Sequence, residues 1–380
     1  MKNNFYTAIG LMSGTSMDGV DVSLIISDGI NKFSNIFDKY YKFDDKLYKK
    51  LVILRNLIFN KDDLSKFSKE LEDVDRDLTL FHAKIINDII KIYDDDIDLI
   101  GFHGQTIFHD PKIGVSKQLG NGELLSQLTK TKVVYDFRQE DILNGGQGAP
   151  LAPIFHYVLS KIIHQKYKIK YPMGFLNIGG IANVTKILNT KDDINNNLFA
   201  LDIGPGNCLI DNWVRNNSNK KYDDNGGVGK LGKNNELIFN QAIENFQIKK
   251  YSNSLDIKDF DISFARGLSF EDGCATITNF SAYLIAQGLE YISENNSINF
   301  FVCGGGRKNS YLIECINNYL SNKNKIVLDN VDNYNLKGDY IESQAFAYLA
   351  VRSFLNLPIS FSNTTGCDKP SLGGLLAENF

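Results

Sequence analysis

AIGLMSGTSMDGVDVSLII, residues 8–26, and FLNIGGIANVTKIL, residues 175–188, decide how the fold is read. In the first, two apolar strands flank a turn rich in Gly, Ser and Thr, with Asp18 and Asp21 on its far side. Gly10, Gly14 and Gly19 admit backbone angles that other residues resist, so successive N–H groups can converge on one point. Thr15 and Ser16 add hydroxyl donors. A phosphate suits such a turn; an ordinary hairpin with a loose loop is the competing reading. The second stretch repeats the plan near half the chain length later: apolar strand, glycine turn, alternating strand. An internal duplication of a domain is the simplest account.

The rest of the chain extends the pattern. Leu78, Phe81, Ile85, Ile89 and Ile92 recur at helical spacing and predict one apolar face. A strand at 98–102 then runs into His103-Gly104-Gln105-Thr106, and further strands are expected at 132–137, 198–207 and 299–306. Helices are expected after Gly122, behind Asn207, and over 273–292, roughly 308–320 and 344–355. Strands alternating with helices predict α/β layers, with ligands at the carboxyl ends of strands. A boundary is expected near 135–150, where DILNGGQGAPLAP concentrates Gly and Pro.

At 380 residues the chain can bury two sizeable cores, and 43% hydrophobic with 23% charged residues is ordinary for a soluble protein. A net charge of −4 without a dense basic run argues against nucleic acid as a partner. The N-terminus has no signal-peptide pattern, and no window approaches the ~18 apolar residues of a membrane span. Cys208, Cys274, Cys303, Cys315 and Cys367 are scattered and odd in number, which fits reduced thiols in the cytoplasm. No zinc-ligand spacing is present.

Four glycine-rich turns are expected to end strands: 14–19, 145–148, 204–206 and 304–306. None is a Walker loop or a dinucleotide fingerprint, yet together they favour a nucleotide held between two domains. Asp202 is expected to end an apolar strand, where rigid sheet would present its carboxylate as a general base or a metal-orienting group; capping the next loop is its plain alternative. Asp18 and Asp21 raise the same choice for a hydrated Mg²⁺. Arg138 follows a strand and could clamp a carboxylate or phosphate, or pair with Asp136, Glu140 or Asp141. His103 ends a strand before a glycine, which favours a polar role. His82, His156 and His164 read as structural. Glu342 begins an apolar helix, where the helix dipole alone would account for it.

GLMSGTSMDGVD, HGQTIFHDP, QLGN, DFRQEDILNGGQGAPLAPIFH, LNIGGIANV, LDIGPGN, VCGGGRKN and the closing TTG resemble, in order and over essentially the whole chain, the anhydro-N-acetylmuramic acid kinase family. The resemblance implies two RNase H-like domains of the actin-like ATPase fold, as in sugar kinases and Hsp70, with nucleotide in an interdomain cleft. The domains are expected at 1–140, completed by 355–380, and at 141–354. It also implies a reaction of bacterial cell-wall recycling: ATP, water and 1,6-anhydro-N-acetylmuramic acid give ADP and N-acetylmuramic acid 6-phosphate. A homodimer is implied as well.

Carried over residue by residue, the resemblance makes Asp202 the base that deprotonates the attacking water. Gly14, Thr15, Ser16, Met17, Asp18, Gly19, Val20 and Asp21 match the ATP-binding segment, and Mg²⁺ would neutralise charge on the transferring group. Gly304 and Gly305 match the adenosine-side turn, with Gly204 beside Asp202. His103, Gln105, Thr106, Arg138 and Glu342 are the candidates for sugar contacts. Two departures stand out. The wider kinase group carries an aspartate inside the first strand, where this chain reads AIGLMSG. Asn253 stands where the family tends to have a lysine, so no role is carried there. A nucleotide-operated chaperone-like module is the alternative of another class, though no peptide-binding domain follows. A glycoside hydrolase with paired carboxylates would not need the glycine turns.

Overall fold

The computed structural model describes residues 5–93, 96–246, 251, 254–294, 296–320 and 325–380. The chain divides into two compact units, Met1–Lys161 with Tyr340–Phe380, and Ile162–Asp339.

The first unit carries strands β1 (Tyr6–Met12), β2 (Gly19–Ser27), β3 (Phe33–Lys42), β4 (Leu99–Phe102), β5 (Gln105–Asp110), β6 (Val115–Leu119), β7 (Lys132–Tyr135) and β13 (Leu375–Ala377). Its helices are α1 (Asp45–Leu57), α2 (Lys61–Lys66), α3 (Ser68–Ile92), α4 (Gly122–Thr129), α5 (Gln139–Leu143), α12 (Ile341–Phe354) and α13 (Ser362–Thr365), and α6 (Pro153–Tyr167) runs across the unit limit. The second unit carries β8 (Met173–Ile178), β9 (Ile181–Ile187), β10 (Leu198–Pro205), β11 (Ile298–Cys303) and β12 (Ile326–Asn330). Its helices are α7 (Cys208–Asn217), α8 (Gly227–Leu231), α9 (Glu236–Asn245), α10 (Phe270–Ser293) and α11 (Ser310–Leu320).

The two sheets share one topology. The first has the order β13-β7-β4-β1-β2-β3 and the second β10-β9-β8-β11-β12. In each, the unit's first three strands form an antiparallel meander, and two parallel strands extend the sheet from the first strand's other side. This order is the RNase H-like pattern, present twice. The parallel strand β4 is buried along its whole length, whereas the outer strand β3 alternates between half-buried and exposed residues over most of its length.

The duplication is looser than the two hairpin sequences suggest. Two residues, Gly179 and Gly180, join β8 to β9, while residues 13–18 join β1 to β2. Gly10 and Gly19 lie in strands, and the left-handed residue of the first turn is Met17, with φ 57°. Gly10 instead permits contact: a Cβ there would lie 1.9 Å from the Ser343 carbonyl oxygen of α12. Its neighbour in the sheet, Gly101, would meet the Phe346 carbonyl at 2.2 Å. α12 therefore rests on bare backbone of β1 and β4.

That contact explains why the second unit limit lies at 339/340 rather than the expected 354/355, since α12 packs in the first unit; the other limit lies at 161/162, inside α6, rather than at the expected 140/141. The buried face of α3 also shifts. It runs through Leu71, Val74, Leu78, His82, Ile85, Ile86 and Ile89, while Ile92, expected on that face, is 82% exposed at the helix end. Finally, the 145–148 turn follows helix α5 rather than a strand.

Candidate active site

In the first unit, the Met17 N–H closes a turn on the Gly14 carbonyl at 3.2 Å. Gln105 Nε2 donates to the same carbonyl at 3.1 Å, and Arg55 Nη1 donates to the Thr15 carbonyl at 2.9 Å. The N–H groups of Thr15 and Ser16 have no partner among the described residues. Both residues are exposed. A Cβ on Gly14 would meet nothing within 4 Å, so no part of the chain itself requires glycine there. Two buried polar atoms beside the turn also lack partners, Ser13 Oγ and Gln105 Oε1. Open N–H groups, space and orphaned polar atoms suit an anion with its solvent shell.

Asp18 is held from two sides. Ser16 Oγ donates to it at 2.5 Å, and the Tyr40 hydroxyl bonds to it from β3. Asp21 pairs with Tyr40 across the sheet. Burial, then the charges of Asp18 and Asp21, push the Tyr40 hydroxyl well above its ordinary range. Among the described residues, no three His, Cys, Asp or Glu side chains gather to cage a metal. Two carboxylates beside a phosphate cradle instead fit Mg²⁺, which keeps several waters and takes one or two protein carboxylates.

The sugar-contact candidates fall on the same unit. His103, at the end of β4, is 4% exposed, and burial together with the neighbouring Arg138 charge holds it well below the usual histidine range. Arg138 can only donate, and it does so to His103 Nε2 from Nη2 at 2.8 Å and from Nε at 3.2 Å. The ring proton is therefore on Nδ1, which donates to the Gly104 carbonyl at 2.9 Å. His103 thus orients Arg138, whose Nη1 is anchored on the Gly148 carbonyl at 2.6 Å. Thr106 Oγ1 accepts from Gln118 at 3.2 Å. Glu342 is half-buried in the first turn of α12, one turn before Phe346, whose ring lies 4.5 Å from that of His103.

In the second unit, Asp202 lies inside β10, at a register shift, rather than at the strand end expected for it. Cross-strand pairing sets it opposite Asn183, Asn183 opposite Asn177, and Asn177 opposite Cys303. Directly paired residues project on one face, so a polar row crosses β10, β9, β8 and β11, spanning about 14 Å at the usual strand spacing. The neighbouring row, Leu176 and Val184, faces the core. The Leu255 N–H donates to Asp202 Oδ2 at 2.9 Å and fixes the carboxylate's rotation. Asn253 lies outside the described residues. Gly304 follows Cys303 at φ 77°, and a Cβ there would fall 2.4 Å from Asn177 Oδ1. The Gly305 N–H has no partner among the described residues, and its Cβ position is open. Arg307 stiffens this turn through the Gly304 carbonyl at 3.0 Å while paired with Asp339 at 2.6 Å and Asp332 at 2.9 Å.

The four glycine turns therefore differ in kind. In 145–148 every N–H is taken: by Ile142, Asp141 and Thr365 carbonyls and by the Asp141 carboxylate at 2.7 Å. At 206–208 the three amides are spent on the Gly179 and Gly180 carbonyls. Only the turns at 14–18 and 304–306 keep N–H groups to offer. Tyr40, Arg55, Asn177 and Asn183 escaped the sequence reading, and Asp141, named there only as a possible partner of Arg138, instead holds the Gly148 N–H, Ser360 and Thr365. The two asparagines did leave a signal, as amides inside otherwise apolar strands.

The chain matches a family model described as anhydro-N-acetylmuramic acid kinase over residues 6–378. An anhydro-N-acetylmuramic acid kinase of Pelagibacter ubique is 52% identical over 99% of this chain and 99% of its own. One of Zymomonas mobilis is 38% identical over 97% and 98%. Among solved structures, the activator of 2-hydroxyisocaproyl-CoA dehydratase from Clostridium difficile aligns over 92% of this chain and 96% of its own. Its TM-score is 0.41 at 11% identity, too loose to carry an argument.

Proposed function

Because the chain belongs to the anhydro-N-acetylmuramic acid kinase family, we propose that Asp202 is the general base of an ATP-dependent sugar kinase and that residues 14–21 hold the transferable phosphates. The reaction converts 1,6-anhydro-N-acetylmuramic acid, water and ATP into N-acetylmuramic acid 6-phosphate and ADP, a step of peptidoglycan recycling. Two events are coupled: water attacks C1 and opens the anhydro bridge, and the released O6 takes the γ-phosphoryl group.

The observation that carries the residue assignment is the pair of N–H groups of Thr15 and Ser16, without a partner among the described residues and on exposed residues near Asp18 and Asp21 in the chain. Phosphoryl transfer depends on positioning and charge stabilisation, which such donors supply. Asp202, fixed by the Leu255 N–H, accepts the proton of the attacking water. Asp18 and Asp21 are the residues that would hold Mg²⁺, which when bound neutralises charge on the phosphates. Arg138, oriented by His103, suits the sugar's carboxylate. Gln105, Thr106 and Glu342 are further sugar contacts, and Gly304 and Gly305 line the adenosine side, with Gly204 shaping the strand beside Asp202. Among the described residues, no helix is long and apolar enough to cross a membrane; a cytoplasmic homodimer completes the proposal.

Incubation with ATP, Mg²⁺ and 1,6-anhydro-N-acetylmuramic acid, followed by mass, tests the reading. The expected product is heavier by one water and one phosphoryl group. ADP formation with unchanged sugar would overturn it.

A further inference from the structure

We infer that Gln105 and Arg55 are positioning residues, which hold the 14–16 turn by its carbonyls and so aim the Thr15 and Ser16 N–H groups at the transferable phosphate. The inference rests on residues 14–21 being the phosphate site. In a trans peptide the C=O and the next residue's N–H point in opposite directions. The Gly14 carbonyl faces Gln105 Nε2 at 3.1 Å, so the Thr15 N–H faces away from Gln105. The Thr15 carbonyl faces Arg55 Nη1 at 2.9 Å, so the Ser16 N–H faces away from Arg55. The anchors come from different elements, β5 and the last turn of α1. The far end of the turn is pinned by the Phe43 N–H on the Asp18 carbonyl at 2.9 Å.

The turn at 145–148 shows the reverse arrangement. Asp141 and its neighbours hold that turn by its N–H groups, and nothing is left to offer an anion. Two glycine-rich turns of like composition thus differ in which end of the peptide dipole is anchored. Toward the turn, Gln105 acts as a donor. It is 1% exposed, its Nε2 is engaged, and its Oε1 has no partner. Burying an unsatisfied oxygen is unfavourable, so the side chain is in place for what its nitrogen does.

Gln105→Met removes the donor and the orphaned oxygen together, so the thermal midpoint should hold. Arg55 is exposed, and Arg55→Met should fold equally well. Calorimetric affinity for the β,γ-imido analogue of ATP is expected to fall about three- to tenfold in each, the loss of one hydrogen bond. In Arg55→Met, which lies outside the sugar contacts, KM for the sugar should not move, and Arg55→Lys should restore most of the loss by returning a donor. Gln105 is neutral, so its effect cannot be charge on the phosphate. Unchanged analogue affinity in the double variant would overturn the inference, as would a lowered thermal midpoint with both KM values unmoved. Thr15→Glu, which puts a carboxylate on the exposed turn, separates the two claims. If it too leaves affinity unchanged, the phosphate site itself is misplaced; if it abolishes binding while the anchor variants are silent, only the anchoring role falls.

Discussion

At the scale of single residues, chemistry follows from partners more than from residue type. Asp202 and Asp211 are both half-buried aspartates of the second unit, yet they differ. Asp202 sits in a polar row with a backbone donor. Replacing it with Asn should leave ATP binding intact in calorimetry and lower kcat by about 10²–10⁴-fold, the usual worth of a general base; near-normal turnover would remove it from that role. Asp211, in the first turn of α7, is pushed up to about 7 by burial, with Arg215 opposing and Asp223 adding to the rise. Its folded value exceeds its unfolded value of 3.8. Stability is therefore unaffected at low pH and lost as pH rises from about 4 through 7. Asp211→Asn should raise the unfolding free energy by about 1–3 kcal/mol at pH 8 and change little at pH 4, measured by urea titration at both values. The row around Asp202 cannot be read from local sequence, because its partners come from other strands; of the charges on Asp211, Arg215 lies one turn along the same helix, whereas its burial is set by the tertiary packing.

At the scale of elements, the glycines separate into those the fold needs and those it does not. Gly10 gives α12 its seat on β1, and an added Cβ would press on backbone that cannot move cheaply. Gly10→Ala should cost about 3 kcal/mol or more in chemical denaturation, at the upper end of overpacking effects. Gly14, four residues later, faces open space. Gly14→Ala should leave the denaturation midpoint within about 0.5 kcal/mol of the parent, yet weaken nucleotide binding by calorimetry, because the methyl fills the cradle. Equal effects on stability at both positions would refute the distinction. The hairpins and the outline of the helices were legible in the chain's periodicity. The end of the α3 face was not: the spacing includes Ile92, but the core it would meet stops at Ile89.

At the scale of the whole molecule, three buried histidines and the half-buried His109 are held below their ordinary range. Burial lowers His82 and His109 to about 4 and His156 to about 3, and puts His103 well below its ordinary range. Each folded value lies below the unfolded 6.5, so the unfolded chain takes up protons first as pH falls. Their contribution is complete above about 6.5 and is lost progressively down to the folded values. His82→Leu should accordingly flatten the stability–pH profile between 6.5 and 4 by up to about 1.4 kcal/mol per pH unit, read from denaturation at three pH values; an unchanged slope would contradict a neutral His82. By itself the sequence determined what depends on neighbours along the chain: the glycine hairpins, their repetition, the alternation of strands and helices, and the family motifs. Tertiary structure alone decided which glycine turns keep their N–H groups, that His103 orients Arg138, that Asp202 lies in a row of asparagines, and that α12 packs in the first unit. The reason is physical. A backbone amide or buried side chain is defined by its hydrogen-bond partner, and the anchors of the 14–16 turn and of Arg138 lie tens of residues away along the chain. Thus 8–26, an even choice between loose hairpin and anion cradle on sequence, is separated from 145–148 by which end of its peptides is held.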